Sequence, residues 1–307
     1  MFGGIFVTLW LAGLGLLQAQ VPPEYQDVLT FLGRSGDFKS EVLKVNVPRN
    51  DLKVMVEGVA LPTPFGFGGW VAMTKGDGGQ EVMMGDLVLL QEEVNPVMSA
   101  LLDNGLEVTA LHNHFFWEKP RLFYMHVHGM GKPADLARRV KPALDLIGKV
   151  AGSKPGESES GASHQEGKPA AGPLKSGNLN TSGLAGIVGK EGEMAGAVYK
   201  ITVGRADIDL KSMGARIDAR MGLNSWAAFF GSDEDAVVAG DIAMLETEVT
   251  PVLKALRKNG LNVVAIHQHM IDVQPVIIFL HYWGRGPADR LAQGFKAALD
   301  IFPGKAK

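Results

Sequence analysis

Apolar and polar residues alternate with a period of two from Glu41 to Val47 (EVLKVNV) and again from Ala197 to Val203 (AVYKITV), which predicts two half-buried strands. Each strand ends in Arg-x-Asp, Arg49 with Asp51 and Arg205 with Asp207. Further on, Gly85-Asp86 and Gly240-Asp241 open continuous apolar runs, Leu87 to Leu90 and Ile242 to Leu245, read as more deeply buried strands. The period then becomes helical. Val97 and Leu101, with Val252 and Leu256, mark one apolar face; Asn95-Pro96 and Thr250-Pro251 predict the start, and Asn104-Gly105 and Asn259-Gly260 the end. Alternation returns in Leu106–Gly131 and Leu261–Gly286, as hairpins turning near Glu118 and Val273, before a last helix over Asp135–Ile147 and Asp289–Ile301. A short amphipathic segment, Pro22 to Gly36, precedes all of this, and its end, Phe31–Gly36, is echoed by Ile187–Gly192.

The pattern therefore runs twice. At an offset of 155, Gly85–Gly131 matches Gly240–Gly286 at 20 of 47 positions without a gap, where unrelated sequences would share roughly three. Each copy reads β, β, β, α, β, β, α. This is an α+β class: an internal duplication into two pseudo-symmetric domains, 22–150 and 184–304, each resembling a ferredoxin-like split-βαβ unit with an antiparallel sheet and helices on one face. Two copies are too few for a solenoid, so they are expected to pack on each other as a fused isologous dimer. Residues 151–183 are rich in Gly, Ser, Pro, Lys and Glu and predict a flexible linker, with His164 inside it.

Composition narrows the function. Thirty basic against 33 acidic residues give a net charge of −3, which argues against a broad basic surface for nucleic acid. There is no cysteine, so disulfides, thiolate metal sites and a cysteine nucleophile are excluded, and any metal must be held by histidine and carboxylate. Residues 1–20 form an apolar leader whose core, Ile5–Leu17, has signal-peptide length, with Ala19 near a cleavage point. A membrane anchor and a buried helix are the alternative readings of that leader, although the run is short for a span.

Seven of the eight histidines fall in the two hairpins. Residues two apart on a strand share a face, so His112 and His114 point together, as do His267 and His269. With the turn near Glu118, His126 pairs with Ala110 and lies diagonal to His112. Each copy is thus expected to gather three imidazoles, His112, His114 and His126, and His267, His269 and His281. Three histidines with an open position suit Zn, Cu, Ni or Fe. His128 is replaced by Trp283 in the second copy and is a weaker candidate. Glu93 and Glu248, just before the predicted helix, are candidate assisting carboxylates or catalytic bases, and equally candidate helix N-terminal anions. Asp86 and Asp241 are further carboxylate candidates, with a turn role as the plainer reading. The Arg-x-Asp pairs read as strand-end ion pairs, Trp70 and Trp226 as core or inter-copy contacts, and the methionines as core filling.

The motifs G-D-L/I, E-V-x-P-V, G-L-x-V-x-A-L/I-H-x-H and P-x5-H-x2-G-x-G, twice over behind an apolar leader, resemble the LppY/LpqO family of exported bacterial proteins. The resemblance implies export and carries no activity with it. The family takes its name from lipoproteins, and lacking a cysteine to lipidate, this chain would be secreted or periplasmic without lipid. The expectation is an exported protein that binds a metal ion or small-molecule ligand through its histidine strands, touching the membrane only through an uncleaved leader. A metal-dependent hydrolase using Glu93 or Glu248 as base is the second reading. A cell-envelope interaction module with structural histidines is the third. P-loop, G-x-S-x-G and dinucleotide motifs are missing, which disfavours those enzyme classes.

Overall fold

A computed structural model describes residues 21–149, 172–175 and 177–303. The apolar leader, the first part of the expected linker and His164 lie outside the described residues.

The first half comprises α1 (Pro23–Leu32), β1 (Gly36–Lys39), β2 (Val42–Pro48), β3 (Val54–Val56), β4 (Val59–Leu61), β5 (Gly68–Lys75), β6 (Glu81–Leu90), α2 (Gln91–Asp103), β7 (Glu107–His112), β8 (Glu118–Lys119), β9 (Leu122–Gly131) and α3 (Pro133–Leu146). The second half repeats this with α4 (Thr181–Val188), β10 (Glu193–Ala195), β11 (Val198–Gly204), β12 (Lys211–Ser212), β13 (Ala215–Arg216), β14 (Asn224–Gly231), β15 (Ala236–Leu245), α5 (Val249–Lys258), β16 (Asn262–His267), β17 (Ile277–Gly286) and α6 (Ala288–Leu299). The duplication, the mixed α/β content and the antiparallel sheets are as the sequence pattern predicts.

Each half builds a six-stranded sheet, in the order β1-β2-β5-β6-β9-β7 and β10-β11-β14-β15-β17-β16. Because β9 runs antiparallel to both β6 and β7, the β6-α2-β7 crossover is split by an inserted strand, and the second half repeats this with β15, α5, β16 and β17. The period of two assigns one side of each strand to the helices. In the first half Val45, Val47, Val71, Met73, Leu87, Leu89, Met125 and Val127 pack under α1, α2 and α3 around Val28, Leu101 and Val140. The second half does the same around Ile201, Phe229, Leu256 and Phe295.

The opposite sides face each other. Two more apolar cores mix residues of both halves: Phe65, Phe115 and Tyr124 meet Ala228, Ala239 and Trp283, while Ala72 and Met84 meet Leu210, Ala243 and Phe279. The molecule is thus layered helix, sheet, sheet, helix, with an inter-sheet space at its centre. Trp70 and Trp226 are contacts between the copies, each ring tip lying against a glycine of the other half, Gly222 and Gly66.

Several boundaries differ from the sequence reading. The α2 helix begins after Leu90 rather than at Asn95, and Pro96 sits inside it. The terminus is set by Glu93, whose carboxylate accepts the Leu90 N–H; Glu248 does the same for Leu245. Gly85-Asp86 and Gly240-Asp241 do not open strands but lie in the middle of ten-residue ones, so the aspartates are not turn residues. The glycines are needed because the neighbouring strand approaches closely: a Cβ on Gly85 would lie 2.8 Å from the Trp70 carbonyl. The described part of the expected linker, 172–175 and 177–183, is held against the second half. Arg285 holds the Gly172 carbonyl, Asp235 accepts the Lys175 N–H, and Asp233 accepts the Asn180 N–H before α4 begins at Thr181.

Candidate metal centre

Register brings the histidines to the inter-sheet space. One row across the first sheet reads Asn46, Trp70, Asp86, His126, Ala110, and its copy reads Thr202, Trp226, Asp241, His281, Ala265. The pairing of His126 with Ala110 is the one expected from the turn, and His112 lies opposite Tyr124. A register irregularity in β7 and β16 accompanies this placement in both halves.

Facing sheets then merge the two expected sets into one cluster. Three trios each bring one nitrogen per residue to within 4.8 Å of the others: His112, His114 and His281; His112, His126 and His267; and His267, His269 and His281. A pseudo-twofold runs between His112 and His267, whose ring centroids are 3.7 Å apart. Around it His114 stacks on His281 at 3.6 Å, and His126 on His269 at 3.9 Å. The outer faces are closed by Tyr124 against His114 and Phe279 against His269. Thr109 of β7 donates to the His269 carbonyl at 2.6 Å, tying the two histidine hairpins together.

The electrostatics favour neutral imidazole. Burial pushes His112 down to about 2 and His267 to about 3, and holds His114, His126, His269 and His281 well below the ordinary histidine value, helped by their neighbours. The His281 Nδ1 lies 3.3 Å from the Gly240 carbonyl, and His126 is bonded likewise to Gly85. A carbonyl on Nδ1 fixes the tautomer and turns a bare Nε2 towards the centre, as outer partners of metal-bound histidines do. Among the described residues, His112 Nδ1, both nitrogens of His114 and of His267, and the Nε2 atoms of His126 and His269 are buried without a hydrogen-bond partner. Each such atom costs about 1–3 kcal/mol unless something binds it.

The carboxylates divide. Glu93 and Glu248 are not brought to the histidines: Arg49 holds Glu93 at 2.6 Å and Arg205 holds Glu248 at 2.8 Å. Asp51 and Asp207 complete each guanidinium, and Glu93 also accepts the Gly148 N–H. These glutamates stand as helix-terminus anions in an ion-pair network, one of the two roles weighed equally from sequence. Asp241 does approach, while Asp86 pairs with His126 in strand register. Asp241 lies 3.5 Å from His269 Nε2 and accepts the Leu280 N–H. Burial pushes Asp86 up to about 7, and burial with the charge of Asp86 raises Asp241 well above its ordinary range.

Two lysines escaped the sequence reading. Lys44 lies 4.2 Å over the Trp70 ring and Lys200 4.0 Å over Trp226, and burial pushes both down to about 8. They stand on the polar side of alternating strands, a side that single-strand periodicity assigns to solvent and the second copy covers. His128 is buried, joins none of the trios and is pushed down to about 4.

Residues 26–146 and 182–301 each match the family described as a Domain of Unknown Function (DUF1259). No curated protein matches the chain. Among solved structures, the trimeric bacterial microcompartment shell protein PduB is similar at 13% identity over 86% of this chain and 88% of its own, with a TM-score of 0.20. EtuB from Clostridium kluyveri is similar at 9% identity over 87% and 91%, also with a TM-score of 0.20. Scores of this size carry no argument about fold or assembly.

Proposed function

The chain belongs, over both halves, to the family described as a Domain of Unknown Function (DUF1259), so the reading must come from the site, and we propose that the protein binds a transition-metal ion between its two sheets. The observation that carries this is the convergence of six neutral histidines, five of them buried and His267 partly so, among which seven ring nitrogens lack protein partners. An all-imidazole donor set suits Zn, Cu, Ni or Fe rather than Mg or Ca. At His126 the backbone bond to Gly85 with a partnerless Nε2 supports metal over an organic ligand, and at His281 the Nδ1 faces the Gly240 carbonyl while Nε2 meets only another imidazole, His112. A purely structural role for the histidines would need hydrogen bonds to absorb those nitrogens. A hydrolase with Glu93 or Glu248 as base is not proposed, because Arg49 and Arg205 occupy both carboxylates.

Export belongs to the same reading, supported by the apolar leader and by the resemblance to the LppY/LpqO family. Each half is also read as a ferredoxin-like unit whose last strand has moved to the front: β5 and β14 take the place beside β6 and β15.

The test is elemental mass spectrometry on protein purified without a histidine tag, as isolated and after reconstitution with Zn, Cu, Ni or Fe. Stoichiometric metal that disappears in a His112→Ala/His267→Ala variant is the expected result. Wild-type protein that holds none of the four would sink the proposal.

A further inference from the structure

We infer that the cluster is built for two metal ions, each chelated by the H-x-H pair of one half and the third histidine of the other: His112, His114 and His281 for one, His267, His269 and His126 for its mate. This rests on the reading of the site as a metal centre.

The pairing follows from distances across the pseudo-twofold. His112 Nε2 and His281 Nε2 stand 3.2 Å apart although they come from different halves. Two imidazoles on one tetrahedral Zn, with bonds of about 2.0–2.1 Å, hold their nitrogens about 3.3 Å apart. The first trio has ring-centroid separations of 5.2, 3.6 and 5.0 Å, for His112–His114, His114–His281 and His112–His281. The corresponding separations in the mate are 5.0, 3.9 and 5.9 Å, for His267–His269, His269–His126 and His267–His126. The mate is the wider triangle, open on its His267–His126 side, and its nitrogens do not all come within 4.8 Å as those of the first trio do. His114 shares no trio with His126, the partner that its own hairpin would supply. In the second half His281 also completes a trio with His267 and His269, and so lies within reach of both ends. Its stacking on His114 and its contact with His112 assign it to the first pair, which leaves His126, stacked on His269, for the second.

The number of ions follows from where the unpartnered nitrogens lie. Both nitrogens of His114 are buried without partners at one end, and His269 Nε2 at the other. A single ion at the centre, in the His112, His126, His267 trio, would leave both ends unsatisfied at about 1–3 kcal/mol per atom. Two ions reach both. In this assignment metal binding locks the halves together, because each ion draws ligands from both; the first half forms no trio of its own from His112, His114 and His126.

Native mass spectrometry with Zn²⁺ as the probe counts ions per chain on the full-length protein. Two Zn per wild-type chain are expected, and one in each of His114→Ala and His269→Ala. Two double variants, each short of two imidazoles, then separate the pairings. His114→Ala/His281→Ala damages one swapped site and retains one Zn, whereas His114→Ala/His126→Ala damages both and retains none. The reverse order would overturn the exchange between halves and restore sites made within each hairpin. One Zn in the wild type would overturn the two-ion inference while leaving the metal reading intact. No Zn there would also overturn it, and the reading would then stand or fall on the elemental analysis of the other three metals. Circular dichroism on the two double variants serves as the folding control, and unequal Zn counts at equal fold are the decisive result.

Discussion

The two halves share their chemistry and differ in what surrounds it. Both keep three histidines, an Arg-Asp-Glu network, a lysine on a tryptophan and a Gly-Asp in mid-strand. Around that shared set the first half has Tyr124, His128 and a buried Tyr25–Glu81 pair, where the second has Phe279, Trp283 and Ala236. The first half also packs a three-stranded sheet of β3, β4 and β8 beside the site, reduced in the second to the β12-β13 hairpin. The common features reach across the interface or fix the strand ends, yet Tyr124 against Phe279 and His128 against Trp283 differ on the inter-sheet side, while helix-facing Val97, Leu101 and Leu106 recur as Val252, Leu256 and Leu261. A site made jointly by two copies constrains both, and the differences show which parts are local.

The shared ion-pair network should show the largest effect. Arg49 is buried between Glu93 and Asp51, and Glu93 additionally holds Gly148 at the end of α3. Arg49→Met leaves a buried carboxylate uncompensated and is expected to cost about 3–5 kcal/mol in urea unfolding. Arg205→Met removes the same ion pairs, but the Arg205 guanidinium lies 3.9 Å over Phe302 and Glu248 lacks the counterpart of the Gly148 bond. It should cost more than Arg49→Met, because the contact with Phe302 is lost as well and the stranded Glu248 keeps one N–H donor where Glu93 keeps two. Equal losses would show that neither difference contributes.

His128 against Trp283 comes next. Burial pushes His128 to about 4 from an ordinary value near 6.5, so above pH 6.5 neither folded nor unfolded chain protonates it. Below 6.5 the unfolded chain takes up a proton that the folded one refuses until about pH 4. Stability is therefore lost as pH falls through that window, by up to about 3 kcal/mol at 1.36 kcal/mol per unit. His128→Phe, which imitates the apolar partner of the second half, should flatten the acid limb by that amount and leave stability near pH 8 within about 1.5 kcal/mol. An unchanged acid limb would show that His128 does not contribute to it.

Mid-strand glycine separates the halves more finely. A Cβ on Gly240 would collide with the Trp226 carbonyl and the Tyr282 ring, whereas on Gly85 it would meet the Trp70 carbonyl at 2.8 Å and a valine methyl at 2.9 Å. Gly240→Ala and Gly85→Ala should each cost about 1–3 kcal/mol, with Gly240→Ala the costlier because a buried ring has less room to yield than a methyl. Thermal melts of the two variants check the order.

Much of the fold was legible because its signals are local. The duplication, the mixed antiparallel content and the pairing of His126 with Ala110 follow from period-two patterning and from one turn position, whereas the short strands β1, β3, β4 and β8 carry too little pattern to be read. What else was not legible depends on contacts between the copies. Sequence periodicity assigns the polar side of β2 and β11 to water, and so Lys44 and Lys200 passed unnoticed until the second sheet covered them. The histidines were sorted by hairpin, since chain proximity is all that a sequence offers, yet His281 touches His112 of the other copy. Glu93 looked like a free carboxylate because its partner, Arg49, is 44 residues away in the chain. Arg-x-Asp and the glutamate recur together in both copies, and that joint recurrence was the available clue.

The smallest expected effect concerns Glu81, whose carboxylate accepts a 2.6 Å hydrogen bond from Tyr25 and is replaced by Ala236 in the second half. Burial raises the Glu81 carboxyl above its ordinary value, against the lowering effect of the Tyr25 hydroxyl. Just above the ordinary carboxylate value the folded chain therefore holds more proton than the unfolded one, and stability falls as pH rises through that window. Glu81→Gln keeps the acceptor for Tyr25 and removes the titration. It should abolish this small decline, of about 1 kcal/mol or less for one hydrogen-bonded group. Hydrogen exchange read separately on β6 and β15 should place the change in the first half alone. A matching shift in β15 would mean that the two halves unfold as one unit, joined across the histidine layer rather than stabilised each by its own helix-facing core.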